Sequence, residues 1–125
     1  MKLEEYLKYF NFIQGAETYK IQSGDSINEI SLLRVRASVA YARVANELGK
    51  IKDAIDLEFL RLMAIEGAKA GKSEIEAEAK INVGMEVSRR DLDSLLNGIE
   101  HFMNACSGRQ RALEAEFRGT QRGEI

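Results

Sequence analysis

The sequence predicts an all-α protein, a long antiparallel helical hairpin with a short N-terminal helix, assembling as an oligomer. Three observations lead there. The 125 residues contain no proline, the main breaker of helix interiors. From Ile27 onward, apolar residues recur at gaps of three or four over most of the chain. Hydrophobic positions make up 45% and charged ones 30%, the balance of a folded chain rather than a disordered polyelectrolyte. The length suits a single domain, 1–125.

Residues 1–25 read as an N-terminal docking segment. Leu3, Tyr6, Leu7 and Phe10 share one helical face, and Tyr9, Phe12 and Ile13 spread apolar surface around the cylinder. So short a helix is marginal alone and must dock, onto its own chain or a neighbouring subunit. Gly15 is a candidate stop. Thr18-Tyr19-Lys20-Ile21 alternates weakly like a strand, and Ser23-Gly24-Asp25-Ser26 reads as a turn leading to a cap. Ser26 with Glu29 fits a capping box.

The first long helix is expected over residues 26–70. Ile30, Leu33, Ala37, Ala40, Val44, Leu48, Ile51, Ile55, Phe59 and Leu62 recur at a mean spacing of about 3.6, the helical period. Such a helix is ~60 Å long at 1.5 Å per residue. Gly49 is its weak point, costing ~1 kcal/mol relative to alanine. Gly67-Ala68-Lys69-Ala70-Gly71-Lys72 is the expected reversal. A second long helix follows over residues 73–118, with Ser73 and Glu76 as a candidate capping box. Asn82-Val83-Gly84-Met85 can break or kink it, and Ser88 with Asp91 offers a new N-cap. Leu92, Leu95, Leu96, Ile99, Phe102, Met103, Cys106, Gln110, Leu113 and Phe117 carry the spacing to Gly119, and residues 119–125 should fray. Two cylinders cannot enclose a core, so the remaining apolar surface is expected to meet other copies of the chain.

Composition excludes several function classes. A single cysteine, Cys106, allows no internal disulfide, and a single histidine, His101, allows no histidine cluster for catalysis or metal binding. Cys106 falls on the apolar stripe and reads as a small core hydrophobe. No serine or threonine sits in a recognisable nucleophile motif, and no cofactor is expected. Gly67-Ala68-Lys69-Ala70-Gly71-Lys72-Ser73 resembles a phosphate-binding loop, but only three residues separate its first glycine from Gly-Lys-Ser where four are needed, and it follows a helix rather than a strand. No apolar run reaches the ~18–20 residues that span a bilayer, and no secretory leader opens the sequence, so a soluble cytoplasmic protein is expected.

Charge is distributed unevenly along a chain of net charge -2. Residues 26–72 are positive by two, whereas residues 73–107 are negative by four. Arg36, Arg43 and Lys50 recur every seven residues beside the apolar seam, with Arg34, Lys52 and Tyr41 nearby. Two readings fit this stripe. It can follow a single-stranded nucleic acid, with cations on phosphates and rings on bases. It can instead pair with Asp93 and Glu100, also seven apart, as flanking charges do in coiled coils. Lys69, Lys72, Arg89 and Arg90 cluster near the reversal and form a basic tip if the helices run antiparallel.

The run Arg34-Val35-Arg36-Ala37-Ser38-Val39-Ala40-Tyr41, the helix through Asp56, and the run from Ser88 through Arg118 resemble the small helical recombination mediators of tailed phages, the UvsY family. The resemblance is one of pattern and layout over residues 26–120. It implies an oligomeric, non-enzymatic protein that binds single-stranded DNA and helps a RecA-like recombinase displace the single-strand-binding protein, inside a phage-infected bacterial host. A family motif of the Leu-Lys-Ala-Arg-Leu type aligns with Glu58-Phe59-Leu60-Arg61-Leu62, which carries Arg61 over as a DNA contact, although Phe59 stands where lysine is expected. Candidate DNA-binding residues are thus Arg34, Arg36, Arg43, Lys50, Lys52, Arg61, Lys69 and Lys72. The alternative function is a phage-type scaffold, chaperone or host-targeting inhibitor that acts only by binding protein.

Overall fold

A computed structural model describes residues 1–14, 26–66 and 71–123. Almost all of them lie in four α-helices, and no strand occurs among the described residues: α1 Leu3–Gln14, α2 Ser26–Glu66, α3 Lys72–Asn82 and α4 Arg89–Gly123. The weak strand signal at Thr18–Ile21 and most of the reversal, with Lys69, lie outside the described residues.

The 3.6-residue spacing of α2 becomes a buried seam. Ile30, Ala37, Ala40, Val44, Ile55 and Leu62 are buried, with Leu33, Leu48, Ile51 and Phe59 half-buried alongside. The seam divides between two cores. In the larger, Ile30, Ala37, Ala40 and Val44 pack with Val87 and with Leu92, Leu95, Ile99, Phe102 and Cys106 of α4. The smaller joins Ile55 and Leu62 to Ile75 and Ala79 of α3. The alanines of α2 shorten its side chains where the larger core is made, so the neighbouring helix can approach. Fully burying a Leu92 or an Ile99 contributes ~1.5–3 kcal/mol each.

The second long helix is two helices. At Val83 the backbone turns extended (φ -82°, ψ 96°), the Val83 N–H still donates to the Ala79 carbonyl at 3.1 Å, and Gly84 follows. Val87 of the connector is buried in the larger core. α4 then starts at an N-cap: the Ser88 Oγ accepts the Asp91 N–H at 3.1 Å. The Ser73 capping box does not form. Gly71 takes the N-cap position of α3 with no side-chain bond, its carbonyl accepting the Glu74 and Ile75 amides. α4 also runs through Gly119 to Gly123, because a lone glycine weakens a helix without stopping it.

α1 docks by another face than its spacing suggests. Tyr6, Tyr9, Phe12 and Ile13 pack against the larger core, with Phe12 tilted on Phe102 at 5.1 Å between centroids. Leu3, Leu7 and Phe10 are exposed. Gly98 of α4 makes room for α1, since a Cβ there would lie 2.7 Å from the Ile13 Cδ1.

Candidate nucleic-acid interface

Six of the seven described candidates stand on α2, whose unbroken 41 residues hold them at fixed spacing. Arg36, Lys50 and Lys52 are exposed, as is Lys72 at the start of α3. None of these four makes an ion pair with another described residue. Arg34 is half-buried, and its charge is felt at the Cys106 thiol.

Arg43 stands apart. Its Nε and Nη2 donate to the two oxygens of Glu5 on α1, at 2.8 and 3.2 Å, while Nη1 reaches Glu47 one turn along α2. Glu47 also accepts the amino group of Met1 at 2.9 Å, and the Tyr9 hydroxyl donates to Glu5 at 3.4 Å. The Arg43 bonds hold the Glu5 carboxyl below its ordinary range. The Met1 amino group, and then Arg43, do the same for Glu47. Two carboxylates in turn hold the guanidinium more firmly protonated. Burial pushes the Tyr9 phenol up.

Arg61 is likewise engaged, forking onto Glu58 three residues before it, and Glu58 also accepts the Asn82 side-chain amide at 3.1 Å. Both partners keep the Glu58 carboxyl low. The pairing of the stripe with Asp93 and Glu100 does not occur among the described residues; the single stripe residue that is paired uses Glu5 and Glu47. The α2 stripe is therefore open at Arg36 and Lys50 and closed between them at Arg43.

The sequence reading missed Glu5 as a partner. Glu47 was findable, since an Arg and a Glu four apart on a helix face each other, but Glu5 lies 38 residues from Arg43 and meets it only through the docking of α1. No cluster of His, Cys, Asp or Glu that could hold a metal ion occurs among the described residues. No helix there is long and apolar enough to cross a membrane.

No protein-family model, curated protein or solved structure matches the chain.

Proposed function

We propose that the protein is a non-enzymatic, homo-oligomeric single-stranded-DNA-binding protein that acts as a recombination mediator, helping to load a RecA-like recombinase in the cytoplasm of a phage-infected cell. The observation that carries the DNA-binding part is the set of exposed cations on one helix, Arg36, Lys50 and Lys52, with no carboxylate of the described chain paired to them. The mediator role rests on the resemblance of residues 26–120 to the UvsY family.

In this reading α2 and the α3–α4 arm form an antiparallel hairpin. Glu58 near the end of α2 meets Asn82, Ile51 shares a groove with Val87, and Arg34 near its start lies by Cys106. A chain of net charge -2 binds a polyanion when its positive charge is segregated, and several subunits turn a weak contact into a tight one. Arg36 and Lys50 supply the phosphate contacts, and Arg34, Lys52, Lys69 and Lys72 widen the patch. Arg43 and Arg61 contribute only where a phosphate displaces their carboxylates.

The test is fluorescence anisotropy with labelled single- and double-stranded oligonucleotides over a salt series, beside light scattering. Wild-type protein should bind single strands at low salt, with affinity falling linearly against salt on logarithmic axes. Arg36→Glu should weaken binding and make its salt dependence shallower while the mass stays unchanged. Absence of binding at low salt overturns the proposal.

A second reading, action through protein binding alone, is favoured by one observation. Leu3, Leu7 and Phe10 of α1 and seven large apolar residues of α2 are exposed. Under that reading the charge-reversed protein keeps its activity toward its protein partner.

A further inference from the structure

α2 carries a second apolar stripe, on the side away from its core. Leu32, Val35, Val39, Leu57 and Leu60 are 54, 54, 66, 69 and 63% exposed. At about 100° per residue they fall within a sector about 80° wide, centred about 190° from the buried residues Ile30, Ala37, Ala40, Val44, Ile55 and Leu62. The positions between the two apolar ends on this face are Ala42, Asn46, Lys50 and Asp53, all exposed, with Gly49 at its edge.

The stripe has the symmetry of a self-complementary surface. Leu32 and Leu60 lie equally far on either side of Asn46, as do Val35 and Leu57, then Val39 and Asp53. An interface between identical copies related by a two-fold axis requires this: residue i of one copy meets residue j of the other, and j meets i. Laid antiparallel on itself at Asn46, the stripe sets Leu32 on the partner's Leu60 and Val35 on the partner's Leu57. Asn46 falls on the axis, where a carboxamide donates to and accepts from its own copy, as a polar residue at one seam position fixes register in coiled coils. Val39 against the partner's Asp53 is the weakest match.

A further observation favours a second copy as the occupant. A Cβ at Gly49 would meet nothing within 4 Å, so nothing inside the chain requires a glycine that weakens α2. At the edge of the face, its small size lets a second helix approach closely.

We infer that this outer face of α2, from Leu32 to Leu60, is a two-fold interface joining two copies of the chain with Asn46 on the axis. The inference rests on the homo-oligomer proposed above and names the surface that builds it. It also sets Lys50, at the rim of the face, on the partner's Ala42, and leaves Arg36 on the open flank beside it.

Cysteine cross-linking in a Cys106→Ala background tests it, with Asn46→Cys at the axis and Asn104→Cys on exposed α4 as the collision control. Under mild oxidation Asn46→Cys should convert most of the protein to a disulfide-linked dimer, and Asn104→Cys should not. Independently, Leu57→Glu with Leu60→Glu in the Cys106-containing chain should lower the mass by light scattering at least twofold with helicity unchanged. An oligomer that persists in that double variant, or Asn46→Cys linking no better than the control, overturns this interface while leaving the oligomeric reading in place. A wild-type chain that stays monomeric at tens of micromolar overturns both.

Discussion

Arg43 shows how one guanidinium organises three parts of the chain. Its fork takes both oxygens of Glu5 on α1 while its remaining nitrogen holds Glu47, which in turn holds the amino group of Met1. The carboxyls of Glu5 and Glu47 sit below their ordinary value of 4.5 in the folded protein, so folding holds them ionised more strongly than the unfolded chain does. Their contribution to stability is complete above pH ~4.5 and is lost as the pH falls through the lower folded values. Acidification should therefore release α1 first, and Tyr6 and Tyr9 will report it by tyrosine fluorescence, undisturbed because the chain contains no tryptophan. Glu5→Gln should loosen α1 at neutral pH and flatten that acid transition.

The elements differ in what fixes their ends. α4 begins where the Ser88 hydroxyl takes the Asp91 amide, so Ser88→Ala should cost ~1 kcal/mol and lower the melting temperature accordingly. That cap was legible in the sequence, as was the break before it, because Ser-x-x-Asp and Val-Gly are local signals. The seam of α2 was legible for the same reason: periodicity records which face is buried. The docking face of α1 was not. Leu3, Leu7 and Phe10 make as good a stripe as Tyr6, Tyr9, Phe12 and Ile13, and the choice depends on the space above Gly98 and the ring of Phe102, neither of which is local. The Arg43–Glu5 pair is hidden by the same gap, since it exists only once α1 is in place. In the candidate site, the residue types and heptad spacing could be read from sequence, whereas the engagement of the middle cation could not.

At the scale of the whole molecule, two apolar cores of unequal size share one helix. The larger gathers ten buried residues from α2, the connector and α4, the smaller only four from α2 and α3. Cooperative units with fewer buried contacts open at lower free energy. Ile75→Ala should remove ~2–5 kcal/mol from the smaller core alone, so α3 should lose hydrogen-exchange protection while α4 keeps it.

The lone thiol divides these events in time. Cys106 belongs to the larger core, and burial raises its pKa, which leaves little of the reactive thiolate. A colourless disulfide reagent that yields a yellow anion on reaction would thus act as a clock wound by one hand only: silent while α3 comes and goes, advancing when α2 and α4 part. Its rate in the Ile75→Ala protein should match that of the wild type.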